Sequence, residues 1–364
     1  MSEAIRLSQL RVRGFRNLQT QALDPGPRFN VIHGDNGQGK SNLLEAIDYL
    51  ATLRSFRGAR NDELIGDGEP SAEIAARVGA GSVPREYRIE FPRGRTRRVT
   101  VEGKRPRSNA AYFNTIQMVL FHPGDMDLTT GPPEARRAFL DRLLSQFDAT
   151  YASTLAAYSK ALRSRNRLLK SDSPDRSAIA AYDELLSSAG AVVGQARARL
   201  TQEIAPRVRS TFDSISGQGL ALHMEYAPRV APEVEALRAA LGDALQKDIA
   251  RGFTADGPHA DDVMFKLDDS RAKRFASQGQ HRAIVLALKV SELYELEQRV
   301  GRVPILLLDD VSSELDRTRN RQLFSLLSQL GGQVFLTTTH PEFILLDTDR
   351  VDFRVEAGEL TADS

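Results

Sequence analysis

Eight residues constrain this chain more than any others: Gly34-Asp35-Asn36-Gly37-Gln38-Gly39-Lys40-Ser41. They follow the pattern G-x-x-x-x-G-K-S, a loop that cradles phosphates between a strand and a helix. The flanks suit it. Residues 28–32 read as a short buried strand, and 42–50 as a helix with apolar Leu43, Leu44, Ile47 and Leu50 on one face. The chemistry needs that order. Glycines let the backbone wrap a polyphosphate so that the N–H groups of Asp35, Asn36, Gly37 and Gln38 turn inward. The helix N-terminus adds partial positive charge. Lys40 brings a full charge to the β- and γ-phosphates, and the Ser41 hydroxyl is a ligand for Mg²⁺. A glycine-rich turn preceding Lys-Ser by chance would not carry those flanks.

At 364 residues the chain is long enough for more than one domain, and its 41% apolar and 27% charged content is that of a globular protein. It contains no cysteine, so disulfides and thiolate metal sites are excluded, which suits a cytoplasmic protein. No apolar run is long enough to span a membrane, and the first residues lack the shape of a signal peptide. The net charge is only +1, so nucleic-acid binding has to come from local basic patches.

In chain order, 5–13 reads as a strand, followed by a turn at Asp24-Pro25-Gly26-Pro27. Arg16 lies in the approach to the phosphate loop and reads equally as a phosphate ligand or a solvated loop arginine. After the loop helix comes Arg54-Ser55-Phe56-Arg57, then strands at 72–79, 85–91 and 97–102. Seven of the fifteen residues from 93 to 107 are Lys or Arg, and only Glu102 is acidic. Arg95, Arg97, Arg98, Lys104 and Arg105, with Arg57, are candidate DNA contacts; a solvated hairpin is the alternative. Residues 115–121 read as a strand. Helical periodicity runs from 133 to 169 and again from 177 to 212, where Pro206 is expected to kink or interrupt it. The two make an antiparallel helical arm. A strand at 219–226, a helix at 233–250 and a strand at 262–268 follow. The expected fold class is α/β, with domains at 1–132 (an ATPase lobe with a β-rich subdomain), 133–250 (the inserted arm) and 251–364 (the rest of the ATPase lobe).

The second half supplies chemistry that a phosphate loop alone lacks. The apolar run 303–308 ends in Asp309-Asp310. Asp309 is placed to hold Mg²⁺, and Asp310 to orient or deprotonate the attacking water. Ser277-Gln278-Gly279-Gln280 opens a helix at 281–298 and resembles the signature motif of ABC-type ATPases. In that family the signature serine and glycine bind the γ-phosphate held by the opposite subunit. The resemblance assigns Ser277, Gly279 and Gln280 to the nucleotide. Ser313-Glu314-Leu315-Asp316, in an expected helix at 312–330, resembles the family's D-loop. His340, ending a strand at 334–339, resembles its switch histidine; a plain loop histidine is the alternative.

The full set of motifs resembles the RecF family of bacterial recombination mediators, within the SMC-like branch of ABC-type ATPases. It comprises Arg13-Gly14-Phe15-Arg16-Asn17-Leu18, the phosphate loop, Arg54-Ser55-Phe56-Arg57, Phe121-His122-Pro123-Gly124-Asp125, Arg136-Arg137-Ala138-Phe139-Leu140-Asp141, Gly257-Pro258-His259, the signature and residues 308–316. Two positions depart from the family: Ala260 stands where arginine is usual, and Gly124 where glutamate is usual. The Q-loop residue is open between Gln117 and His122. The resemblance implies an SMC-like head with a helical lobe, closed head to tail into a homodimer by ATP and Mg²⁺. It also implies binding to duplex DNA near single-strand junctions, weak DNA-stimulated ATP hydrolysis, and work with RecR, and through it RecO, in loading RecA. Alternatives are a transporter's nucleotide-binding subunit and a DNA-binding module that uses ATP only to dimerise. A GTPase is disfavoured, because no N-K-x-D motif is present.

Overall fold

The computed structural model describes residues 3–81, 83–107, 112, 115–217, 219–310, 324–325, 327, 331–346 and 348–363. The chain divides into two units, Met1–Gly124 with Glu292–Ser364, and Asp125–Ser291.

The first unit is built on two sheets. One contains β1 (Glu3–Arg13), β2 (Gln21–Leu23), β4 (Ser71–Ala80), β5 (Arg85–Pro92), β6 (Arg98–Val101) and β11 (Arg302–Val303), in the order β11-β1-β4-β5-β6 with β2 against β1. Its long strands alternate buried and exposed residues, as half-solvated antiparallel strands do. The other sheet contains β3 (Phe29–His33), β7 (Met118–Phe121), β12 (Ile305–Leu308), β13 (Val334–Thr338), β14 (Arg350–Glu356) and β15 (Glu359–Ala362). Its order is β15-β14-β3-β13-β12-β7, and every pair from β14 to β7 is parallel. Strands β7, β12 and β13 are short, mostly apolar runs, buried because both faces are covered, whereas β14 and β15 at the opposite edge from β7 carry charged and exposed residues. Helix α1 (Lys40–Thr52) is buried almost all round, and its Leu43, Ile47 and Leu50 share one core with Phe15, Ile74, Leu120, Leu307 and Phe335.

The second unit contains helices α2 (Pro133–Phe147), α3 (Ala149–Leu169), α4 (Arg176–Ser216) and α5 (Val234–Arg251), with strands β8 (Leu222–Ala227), β9 (Asp262–Leu267) and β10 (Ser270–Arg271) in the order β10-β9-β8. The helix expected over 133–169 breaks at Asp148, whose side chain accepts the Tyr151 N–H at 2.8 Å and caps α3. The expected interruption at Pro206 does not occur: α4 continues through it for 41 residues, roughly 60 Å. Arg165 of α3 is fully buried and ties three helices together. It donates to Asp183 of α4 at 2.6 Å, and to Asp248 of α5 and Thr254 at 2.7 and 2.8 Å.

The boundaries differ from the expected 132/133 and 250/251. Strand β9 pairs with β8, Arg136 of α2 forks onto Asp262 at 2.6 and 3.1 Å, and Arg137 donates to the Asp261 carbonyl at 2.5 Å. These bonds place 251–291 with the helices. The expected helix at 312–330 lies almost wholly outside the described residues.

Candidate active site

Parallel pairing brings four strand ends to one edge. Thr338 is in register with His33, Leu308 with Leu336 and Leu308 with Phe121. Gly34 to Ser41, His340, Asp309-Asp310 and His122 therefore all follow strand ends on that edge, where open α/β sheets bind ligands.

The phosphate loop is braced from behind. Gly34 has φ +143°, and a Cβ there would lie 2.3 Å from the Val355 carbonyl oxygen. Asn17 Nδ2 donates to the Gly37 carbonyl at 3.0 Å. The turn between β14 and β15 grips Gln38 twice: Gly358 N–H donates to its carbonyl at 2.9 Å, and Ala357 N–H to its Oε1 at 2.6 Å. Helix α1 starts after Gly39 with no side-chain cap, so its first N–H groups are left for an anion. Lys40 is buried and its Nζ donates to the carbonyls of Gly34 and Asp35 at 2.7 and 2.8 Å. Burial lowers its pKa, opposed by the charges of Asp310, Asp309 and Asp35. Those carboxylates are thus felt by the lysine that would meet the phosphates.

Thr337 organises the acidic pair. Its hydroxyl donates to Asp309 Oδ1 at 2.8 Å and accepts the Asp310 N–H at 2.9 Å. Asp309 is buried, and its N–H is held by the Phe121 carbonyl at 2.8 Å. Asp310 turns into the left-handed region at φ +51°. His340 is exposed. Its N–H bonds Thr338 Oγ1 at 3.0 Å, and its Nδ1 lies 3.1 Å from Glu342 Oε1. With Nδ1 donating to that carboxylate, Nε2 donates to a phosphate only from the imidazolium.

The two Q-loop candidates lie at opposite ends of β7. Gln117 precedes the strand, is 1% exposed, and sits away from the nucleotide edge. His122 follows the strand, beside Asp309. Its ring lies 4.9 Å from that of Phe56, and its Nδ1 accepts the Gly124 N–H at 3.1 Å. A Cβ on Gly124 would be 2.6 Å from His122 Cε1, so this ring position suits glycine there. Ala260 ends a short turn, Pro258–Ala260, whose His259 bonds Tyr158 OH at 2.6 Å and the Thr254 carbonyl at 3.0 Å.

Two candidate cations are placed differently from expectation. Arg16 does not face the phosphate loop: it forks onto the fully buried Glu45 of α1 at 3.0 and 3.1 Å and donates to the Glu63 carbonyl. Arg97 is turned inward, donating to the Leu53 carbonyl at 2.5 Å and to Tyr49 OH at 2.6 Å, which caps the end of α1. Arg95, Arg98, Lys104 and Arg105 are exposed. Arg57 donates to Asn42 Oδ1 at 2.7 Å, one residue from Ser41.

The signature lies in the second unit. Ser277 N–H donates to Gln280 Oε1 at 2.8 Å and Gln280 N–H to Ser277 Oγ at 3.2 Å, a reciprocal capping box that opens α6 (Gln278–Val300). Ser277 is exposed and Gly279 partly so. The D-loop candidates at 313–316 lie outside the described residues. Sequence reasoning missed Asn17, Thr337 and the turn at 357–358, whose contacts to the site cross from 20 to 320 positions with no local pattern.

This fold, with a phosphate loop and an acidic pair on one edge of a parallel sheet, defines an ABC-type P-loop ATPase head of the SMC-like kind. The model for the RecF/RecN/SMC N terminal domain matches residues 6–355. The DNA replication and repair protein RecF of Myxococcus xanthus is 41% identical over 346 residues, 92% of this chain and 91% of the relative. A solved structure of the recombination mediator protein RecF-ATP in the RecFOR pathway matches with TM-score 0.90 and 30% identity, covering 100% of this chain and 99% of the other. An Smc head from Pyrococcus furiosus shares the fold at TM-score 0.57 and 15% identity, covering 99% and 96% of the two chains. The chain belongs to the RecF family. That membership sets aside the transporter reading, and among the described residues no helix is long and apolar enough to cross a membrane.

Proposed function

We propose that this RecF-family replication and repair protein is a DNA clamp closed by ATP and reopened by slow, DNA-stimulated hydrolysis. The backbone of Gly34 to Gly39 and Lys40 hold the β- and γ-phosphates. Ser277, Gly279 and Gln280 of a second copy complete the site head to tail. A hydroxyl and a buried carboxylate are the hard oxygen donors that suit Mg²⁺, which takes only one or two protein ligands in such sites. Ser41 and Asp309 would hold it, and when bound it neutralises charge on the β- and γ-phosphates. Asp310 accepts a proton from water as the water oxygen bonds the γ-phosphorus and the bond to the ADP oxygen breaks. His340 donates to the γ-phosphate.

Duplex DNA near a single-strand junction is the substrate surface. The exposed Arg95, Arg98, Lys104 and Arg105, with Arg57, contact its backbone. In this reading the protein acts in the cytoplasm, with RecR and RecO as partners in loading RecA. The observation that carries the reading is the single Thr337 hydroxyl binding both acidic residues, on the edge where Lys40 feels their charge.

The test is sedimentation of Asp310→Asn with and without ATP, paired with phosphate release by the wild type. Removing the base should leave ATP bound and trap a dimer, while the wild type releases phosphate. A variant that stays monomeric with saturating ATP would overturn the clamp. A wild type that dimerises but never releases phosphate would leave ATP as a dimerisation ligand only.

A further inference from the structure

The helical unit carries a line of cations. Helix α3 contains no Asp or Glu in its 21 residues. Its inner face is Tyr151, Tyr158, Ala161, Arg165 and Leu169, all buried. Lys160, Arg163, Arg167 and, one residue beyond the helix, Lys170 recur at steps of three and four on the opposite face. All four are exposed.

Arg165, on the inner face of the same helix, is enclosed by Asp183 and Asp248. Elsewhere on this unit Arg238 is paired with Glu184 and Glu235 at 2.7 and 2.5 Å, and the exposed Arg229 with Asp256 at 3.0 Å. Lys160, Arg163, Arg167 and Lys170 have no ion pair among the described residues. Further along the same face, Ser153 and Ala156 are small and exposed. At the other end Lys170 lies against the end of α5. Its Cγ is 3.2 Å from where a Cβ on Gly252 would sit, which brings the exposed Arg251 alongside. Along the chain the next acids are Asp172, two residues on from Lys170, and Asp175, which is occupied in capping α4.

We propose that this stripe is a DNA-backbone contact surface, distinct from the 93–107 ribbon and resting on the clamp reading above. Four cations over the eleven residues from 160 to 170 span about 15 Å of helix. That length matches roughly four or five successive phosphates of one strand, each rising about 3.4 Å. Such a surface takes any duplex of sufficient length, because phosphates carry no sequence information.

The experiment measures duplex affinity against salt for the wild type, Arg163→Gln/Arg167→Gln and Arg163→Lys/Arg167→Lys, using two duplexes of unrelated sequence. Glutamine keeps the helix and removes the charge. The expected result is a log K against log salt slope shallower by about 1.8 in the glutamine variant, equal for both duplexes. The lysine variant keeps the wild-type slope, and ATP turnover without DNA is unchanged. A glutamine variant with the wild-type slope overturns the stripe and leaves the clamp standing; an acidic protein would then be the occupant to look for. A lost slope that lysine does not restore also overturns the phosphate assignment. A wild type that binds no duplex at low salt overturns the clamp reading and the stripe together.

Discussion

Thr337 shows how one residue organises the acidic pair of the proposed nucleotide edge. Its hydroxyl orients the Asp309 carboxylate and fixes the backbone of Asp310, which leaves the sheet with positive φ. Thr337→Val keeps the shape and removes both bonds. Groups that orient a ligand or base from behind typically matter about 10- to 100-fold, so turnover should fall by that factor while ATP affinity changes little. Thr337→Ser should restore it. An ATPase assay beside equilibrium ATP binding checks the split. The residues proposed to meet the nucleotide were singled out in the sequence because their chemistry is written locally: glycine spacing, a lysine at a helix start, two acids at a strand end. Thr337 was not legible, since a threonine in an apolar strand carries no signal until its register with Asp309 is known. Arg97 was misread for a related reason. Its neighbours are solvated, but its guanidinium finds the free carbonyl at the end of α1, which only the fold brings near.

At the scale of elements, the sheet strands and α1 follow from apolar runs and periodicity, while the helical unit departs from its periodic reading in two places. Asp148 ends one helix and starts the next because a capped terminus replaces a continuous turn. Pro206 does not interrupt α4 because it lies on the exposed side. The carbonyl freed by its missing N–H therefore faces water, while Ile204 and Val208 stay buried on the other face. The same unit has a titratable lock. His259 donates from Nε2 to the Thr254 carbonyl, so its Nδ1 accepts from Tyr158 OH. Burial pushes the imidazole below the ordinary histidine value of 6.5, with Arg137 adding to the effect and the Thr254 carbonyl, Asp261 and Asp248 opposing it. The unfolded chain then binds more protons than the folded one below 6.5, so stability is full above that value and declines as pH falls through it. Buried His281 is lowered in the same direction. The unfolding midpoint should therefore drop between about pH 7.5 and pH 5.5, and His259→Gln should flatten part of that drop. A wild-type midpoint that does not change over this range would refute the lock.

For the molecule as a whole, 49 basic and 48 acidic residues nearly cancel. Attraction to a polyanion then depends on where the cations stand free rather than on how many there are. Within the 93–107 ribbon, side chains of the same type have opposite fates. Arg95 and Arg98 are exposed, with Arg98 only 3.9 Å from Glu90, a distance at which a surface pair contributes little. Arg97 belongs to the fold. Arg95→Ala/Arg98→Ala should therefore lower duplex affinity and make its salt slope shallower by about 1.8, with the melting temperature unchanged. Arg97→Ala should do the reverse: the slope stays, while stability falls by about 1.5–3 kcal/mol as a charged hydrogen bond to the end of α1 is lost. Salt titrations and thermal melts of the two variants, run in parallel, decide it. If Arg97→Ala flattens the slope and leaves the melt alone, its contact with Leu53 is not what holds that arginine in solution, and the ribbon acts on DNA as one basic surface.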